Sequence, residues 1–426
     1  MTEILFYILV AINTALLVWG LRQKENIYQC PFFMGGIFAI FILPQAIALI
    51  NNPGGLRQED LQTIFAMASL CLAMIWFGYK MGNSREFRDK VANPENFSEK
   101  KMFQGGIAFV CVAYFFHFKI LKLPEEIRNE SNWFGIITVY YFFRCLIYPG
   151  FTIIFLRTLA SLNWFNLMAT LLAGALPLNL IIFEGRREVT ATFLLTIGLS
   201  LFFKKKWCPP RLLVSIALFS TMIAIPLIGI YRGVAKNRDW AKLSEVNFKE
   251  EFLKYMKEGE TLELRNAGYM IQYALETNSY ALGAGYWDAM VFRFVPAQFL
   301  GKNFKDSLMI RPRDLIRNEL ESRVSYKIPT GLTYTGIGDA FLQFGFLGSL
   351  FFFLLSFFFK KLWIKAASGN LYRQIFYIQL ISPAMLTATH DTVGFLPNLT
   401  FNILFLGILG WYAKKNIPRK TLRIKE

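Results

Sequence analysis

Five arginines fall within or at the edges of hydrophobic runs: Arg144, the adjacent Arg186 and Arg187, Arg232 and Arg293. A guanidinium is planar, keeps its proton and presents a fork of donors that matches phosphate oxygens. At bilayer depth such a charge costs about 2.5–3.5 kcal/mol on insertion scales, so a partner or a function must hold it there. By the topology derived below, four of the five fall at or just beneath the outer surface and Arg144 near the midplane. Basic residues normally gather on the cytoplasmic side. Arginines on the opposite side therefore point to an anionic ligand, for which a lipid-linked pyrophosphate is the obvious candidate.

The elements that must position these charges are membrane helices. The 426 residues are 54% hydrophobic and 18% charged, with 44 phenylalanines. A soluble chain carries about 25% charge. Apolar runs recur along the whole length, which implies one polytopic all-α membrane domain. The first run has no basic stretch before it and no small-residue cleavage site after it, so no cleavable signal is expected. The net charge of +17 sits largely in short loops, where basic residues orient helices; nucleic-acid binding is not expected.

Spans need about 20 residues each, and about eleven are expected: 4–20, 30–50, 61–80, 102–119, 133–156, 164–183, 189–204, 212–231, 336–359, 372–389 and 396–413. Pro44, Pro149, Pro177 and Pro226 lie inside them, and each removes a backbone donor. Basic loops follow spans one (Arg22, Lys24), three (Arg85, Arg88, Lys90), seven (Lys204, Lys205, Lys206) and nine (Lys360, Lys361, Lys365). With a basic tail from Lys414 onward, all fall on one face when the N-terminus is outside and the C-terminus cytoplasmic. Three regions result. Residues 1–231 hold about eight spans, 232–335 form one large extracytoplasmic loop, and 336–426 hold about three spans and the tail.

Loops this long inside a compact domain are usually functional. Asn247 is expected to cap a helix reaching Lys257, and 261–276 to form a second with Leu262, Tyr269, Met270 and Tyr273 on one face. Residues 283–296 read as an interfacial helix ended by Pro296, and 314–327 as a third amphipathic stretch. Arg265, among Glu260, Glu263 and Glu276, reads as a surface ion pair. Arg311, Arg313, Arg317 and Arg323 read as a solvated face balanced by Asp314, Glu319 and Glu321.

The five cysteines all lie in or beside spans, none has zinc-ligand spacing, and there are only two histidines, His117 and His390. No DxD pair is present. No metal and no cofactor are expected. His117, among Phe115, Phe116 and Phe118, reads as an interfacial neighbour of those rings.

Three segments carry a resemblance. They are Glu184-Gly-Arg-Arg-Glu188, then Asn278-Ser-Tyr280 with Arg293-Phe-Val-Pro-Ala297, and the stretch from Pro329-Thr330 through Gly336-Ile-Gly-Asp-Ala-Phe-Leu-Gln-Phe-Gly345-Phe-Leu-Gly348. With the single large outer loop, the chain resembles bacterial O-antigen and oligosaccharide repeat-unit polymerases of the Wzy type. Departures are Arg-Phe-Val-Pro where the family often has Pro-Arg, Gln343 where Asn is commoner, and His390-Asp391-Thr392 in the last outer turn where Arg-Gly is frequent.

The resemblance implies a GT-C-like membrane fold and a metal-independent glycosyltransferase in the bacterial plasma (inner) membrane, with its site facing the periplasm or exterior. Such enzymes move a growing glycan from one undecaprenyl diphosphate carrier to the sugar end of another, in O-antigen, capsule or exopolysaccharide synthesis. Implied partners are undecaprenyl-diphosphate-linked oligosaccharides, membrane lipids, a chain-length regulator and a repeat-unit flippase. An O-antigen ligase is the rival of the same class, but ligases often place a catalytic His in the large loop, and this loop has none. A transporter or flippase of an anionic lipid-linked substrate is the rival from another class; no internal repeat is visible, and the charges cluster on one side.

In that reaction the sugar leaves with a pyrophosphate, whose growing charge the arginines would stabilise. The expected diphosphate-binding set is Arg186, Arg187, Arg293, Arg232 and Arg144. The acceptor hydroxyl needs a general base. His390 with Asp391 comes first and Asp339 second, with Glu184 behind them. The plainer readings stand beside these: Arg186 and Arg187 paired with Glu184 and Glu188, Arg293 paired with Asp288, Arg232 anchoring a helix end, and Asp339 capping span nine. Gly345 and Gly348 read as helix-packing positions.

Overall fold

The computed structural model describes residues 1–83, 97–124, 127–128, 135–237, 246–258, 262–311, 313–328 and 333–414; within its helices the side chains at 225–230, 232, 235–237, 248, 256, 258, 313–315 and 317 are not included. Arg85, Arg88, Lys90, Pro329, Thr330 and the tail beyond Lys414 lie outside the described residues, as does the side chain of Arg232.

The described chain is helical, its only strand-like pairing being a bridge between Phe97 and Lys414. Eight helical segments are long and apolar enough to cross a membrane: Thr2–Arg22, Cys30–Asn51, Gln58–Met81, Glu99–Leu121, Ile136–Ala160, Trp164–Glu184, Thr335–Ala367 and Phe395–Ala413. Unbroken apolar composition makes this favourable, because in lipid a helix satisfies its own backbone. The other three expected segments are also helices, Arg187–Lys205, Arg211–Asn237 and Leu371–Thr389. The first and third are more polar than the eight. One is charged at both ends, and the other carries Arg373, Gln374, Gln379 and Ser382.

Consecutive long helices run in alternating directions between two ends of the bundle. One end gathers the basic segments. Arg211 donates to the Arg22 carbonyl at 2.8 Å, Tyr28 to the Trp207 carbonyl at 3.2 Å, and Ser98 N to the Ala413 carbonyl at 2.8 Å. Arg157 pairs there with Glu99, and Lys360 lies 4.4 Å from the Tyr79 ring centroid. The segments that orientation by charge places together are thus together in space.

The opposite end carries the long loop. Gln45, itself buried, accepts from Leu264 N at 2.8 Å and donates to Glu263 at 3.2 Å, doing for helix Glu263–Thr277 what a capping residue does. Arg57 pairs with Glu276 at 3.1 Å. Asn247 caps Phe248–Glu258 through Glu250 N, as its position predicts. Helix Glu263–Thr277 differs from expectation. It is buried on most sides, from Leu264 to Ile271, not only along one face. It lies between Arg313–Val324 and Thr335–Phe344 and also touches Gln58–Met81. Arg265 is accordingly buried at 7% exposure and donates to the Asn52 carbonyl at 2.6 Å, so it is not a surface ion pair.

Three spans are interrupted, and the interruptions set up the site. In Cys30–Asn51 a widened turn spans Phe38–Ile42 just before Pro44, because the proline ring displaces the carbonyl four residues back. Ile136–Ala160 breaks after Arg144 and resumes at Ile147. Pro149 has no N–H to offer the Cys145 carbonyl, which accepts instead from Tyr148 N at 3.2 Å. Thr335–Ala367 breaks at Gly345, whose φ of 60° and ψ of −142° suit glycine alone. This glycine ends a helix; it does not serve helix packing. Gly336 does: a Cβ there would lie 1.6 Å from the Thr387 carbonyl oxygen, so helices Thr335–Phe344 and Leu371–Thr389 meet backbone to backbone.

Candidate functional site

The break after Arg144 is where the arginines converge. Arg144 lies eight residues below the start of Ile136–Ala160 and sixteen above its end, hence roughly 12 Å and 24 Å along the axis. It lies nearer the loop end of this span than the basic end, because the helix extends further toward the basic end than hydropathy indicates. Its guanidinium lies 4.3 Å from the Tyr141 ring centroid. Arg293 comes from the loop, at the last turn of helix Ala284–Phe294, which packs along Phe395–Ala413. Its Nη2 lies 3.8 Å from the Cys145 sulfur, and its guanidinium lies 5.4 Å from the Phe142 ring and 6.0 Å from Phe401. Arg293 is thus brought to the helix break from a position 148 residues beyond Cys145.

Neither Arg144 nor Arg293 makes an ion pair with a carboxylate among the described residues. Asp288, the partner expected from sequence for Arg293, turns the other way. Buried at 6% exposure, it accepts from the backbone N–H of Ile310 and of Arg311, each at 2.8 Å. Each guanidinium is half-buried, lies against an aromatic face and, among the described residues, has no acid beside it, surroundings that an anion would relieve.

Arg186 stands at the edge of this place. It precedes helix Arg187–Lys205 and binds Glu184 at 2.6 Å through Nε, in the turn that Gly185 closes in left-handed conformation (φ 58°). Electrostatic reach links Arg144 and Arg186 to Tyr148, and Arg144 and Glu184 to His117. His117 Nδ1 is buried with no hydrogen-bond partner. Its place beside both charges was missed from sequence because its neighbours in the chain are all phenylalanine, while its charged neighbours are 27 and 67 residues on. Arg187 points elsewhere, toward Tyr255 and Glu263 of the loop helices. Burial raises the Glu263 carboxyl above its usual range, with Arg187 and Gln45 opposing. Arg232 lies near the loop end of Arg211–Asn237, its side chain outside the described residues.

The acid–base candidates meet in the turn between Leu371–Thr389 and Phe395–Ala413. Asp339 is buried at 1% exposure inside helix Thr335–Phe344, not at its N-terminus. Its carboxylate accepts from Thr392 N at 2.7 Å, Val393 N at 3.1 Å, the Thr392 hydroxyl and Gln343 Nε2 at 3.3 Å. A carboxylate held by four donors anchors the turn. Asp391 accepts from Gly394 N at 2.8 Å and so opens the last helix. His390 is exposed, with Nδ1 2.8 Å from the Thr389 hydroxyl.

Helices Arg187–Lys205 and Leu371–Thr389 touch at Thr192 and Ser382, whose hydroxyls are 2.7 Å apart. Being antiparallel, they place Arg187 roughly 8 Å and His390 roughly 12 Å above that contact. The turn is therefore at the same end as the arginines. Two segments of the family-like pattern also meet: Ala281 N and Leu282 N donate to the carbonyls of Leu342 and Gln343 at 2.8 and 2.9 Å.

Among the described residues no group of three or more His, Cys, Asp or Glu side chains is placed to hold a metal ion. No protein-family profile, curated protein or solved structure matches this chain.

Proposed function

We propose that the chain is a glycosyltransferase of the membrane, with a GT-C-like arrangement of all eleven helices as spans, which polymerises lipid-linked oligosaccharide repeat units. One observation supports this most: Arg144 and Arg293, half-buried without acids, flank a helix break at the end of the bundle opposite the basic loops. That end is the extracytoplasmic one by the distribution of basic residues. The diphosphate of an undecaprenyl-linked donor fits the requirement. It is anionic, it enters from lipid, and it gains charge as the sugar departs, so a fixed guanidinium pair binds the transition state better than the ground state. Arg186 reaches the rim of the site, while Arg187 serves the docking of the loop. His390, exposed in the turn that Asp339 holds, takes the acceptor hydroxyl proton; His117, beside Arg144 and Glu184, is the second candidate. An anionic lipid-linked substrate would also suit a flippase, but charges at one end favour chemistry at one face.

The test is polymer formation by the purified chain from undecaprenyl-diphosphate-linked repeat units in nanodiscs with EDTA present. Ladders of two or more units are expected. Transport of the lipid-linked unit without any elongation would replace this reading with the flippase.

A further inference from the structure

The long loop contains an open cavity of about 1030 Å³, lined among others by Tyr273, Tyr280, Trp287, Arg311, Glu319 and Arg323. It is distinct from the place around Arg144. Trp287 lies in the first turn of helix Ala284–Phe294 and Arg293 in its last, six residues or roughly 9 Å further along the axis.

The cavity is built, not incidental. Trp287 is 51% exposed, yet its indole N–H is held by the Leu308 carbonyl at 2.8 Å, so the ring is fixed with a face to solvent. The next residue, Asp288, holds the backbone of Ile310 and Arg311 and thereby the opposite wall. Arg311 Nη2 donates to the Tyr273 hydroxyl at 2.8 Å and to Glu319 at 3.4 Å, and Tyr273 donates to Glu319. Burial, with Glu319 beside it, raises the Tyr273 hydroxyl, which keeps it a donor. The rim at 278–283 places Asn278, Leu282 and Gly283 at φ of 49°, 47° and 89°. Left-handed leucine is strained, and such strain is kept where a ligand or clamp requires it.

Fixed aromatic faces beside planar charged groups suit one chemical class. A pyranose has an apolar C–H face, which lies against an indole or phenol ring, and a rim of hydroxyls that both donate and accept. Arg311 and Glu319 together offer donors and acceptors in one plane. Glu319 meets the charge of Arg311, so this pair presents donors and acceptors side by side and not a bare cation. A lipid chain would leave the Arg311–Glu319 pair desolvated without partners.

We infer that this cavity binds sugar rings of an oligosaccharide, with Trp287 as the stacking platform and Arg311–Glu319 as the hydroxyl-reading pair. The inference rests on the glycosyl-transfer reading for its biological sense, but its test does not. The probe is the free repeat-unit oligosaccharide, released by mild acid from the host's own lipid-linked unit, titrated calorimetrically into the full chain in nanodiscs. Undecaprenyl diphosphate without sugar is titrated separately.

The free oligosaccharide should bind, and Trp287→Ala should weaken it at least tenfold, with Trp287→Phe in between. Ala284→Phe, which fills the cavity from its rim, should weaken it likewise. Arg144→Ala and Arg293→Ala should leave it unchanged while abolishing undecaprenyl diphosphate binding. Oligosaccharide binding that withstands both Trp287→Ala and Ala284→Phe, or no such binding by a chain that does bind undecaprenyl diphosphate, overturns the cavity assignment and leaves the arginine site standing. Oligosaccharide binding that depends on Trp287, in a chain indifferent to undecaprenyl diphosphate, keeps the cavity and overturns the diphosphate reading.

Discussion

Arg144 and Arg293, at the helix break, and Arg311, at the cavity of the long loop, have opposite surroundings. Arg311 is locked by Glu319 and Tyr273. Arg144 and Arg293 have aromatic rings and a thiol for neighbours and no acid among the described residues. The difference teaches that a guanidinium whose charge is met ties segments together, while one whose charge is not met is the better candidate for binding an anion. Sequence alone invites the reverse weighting, since the adjacent Arg186-Arg187 stands out and proves to face Glu184 and Glu263.

The sharpest way to break this comparison is to remove the unmet charges. Arg144→Ala and Arg293→Ala should each lower polymer formation by about 10²–10³-fold, the scale of losing one preorganised transition-state donor. Lysine at either position should restore little, because it lacks the bidentate fork. Single repeat units should accumulate, and the melting temperature should hold. Wild-type ladders from both alanine variants would sink the assignment.

Asp339 tests the structural side. Asp339→Ala strips the Thr392 and Val393 amides of their acceptor and should cost about 2–4 kcal/mol of stability, read as a lowered melting temperature in nanodiscs. If Asp339 were instead the base, Asp339→Asn would stop transfer in a protein that melts normally.

Arg186 should fall between the two classes. Its pair with Glu184 is partly exposed and worth about 0–1 kcal/mol, so Arg186→Ala should scarcely move the melting temperature. Transfer should drop about tenfold if the side chain helps at the rim, and a change in stability without a change in transfer would assign Arg186 to structure alone.

The smallest effect belongs to Glu263. Its carboxyl is raised in the folded chain by burial. A raised carboxyl contributes stability that is present below the unfolded value and is lost as pH rises through the folded one. Glu263→Gln, which can keep the bond from Gln45, should therefore melt at or above wild type on the alkaline side of that window and lose the advantage below it. The difference between the two proteins is followed by melting temperature from acid to neutral pH. An advantage that grows toward acid would reverse the sign and point to a favourable pair with Arg187.

Much of the architecture was legible before any coordinates. Runs of about 20 apolar residues predict the eight membrane helices, Asn247 predicts its cap, and the basic loops predict which ends gather together. The sites were less legible. His117 sits among phenylalanines in the chain and within electrostatic reach of Arg144 and Glu184 in space. Asp288, five residues before Arg293, serves Ile310 and Arg311 instead. Gly345 ends a helix, although its neighbourhood reads as a packing motif.

Hydropathy, helix-breaking prolines and charge asymmetry act within a turn or two of the residue that carries them, so the sequence by itself determined the helices and their alternating directions. Whether a charge is met depends on contacts between segments far apart in the chain: Cys145 with Arg293 across 148 residues, Asp339 with Thr392 across 53. Those distances are set by how helices break and pack, at Pro149, Gly336 and Gly345. Only the tertiary structure decided which of the described arginines meet a carboxylate and which do not, because pairing is a property of the space between helices.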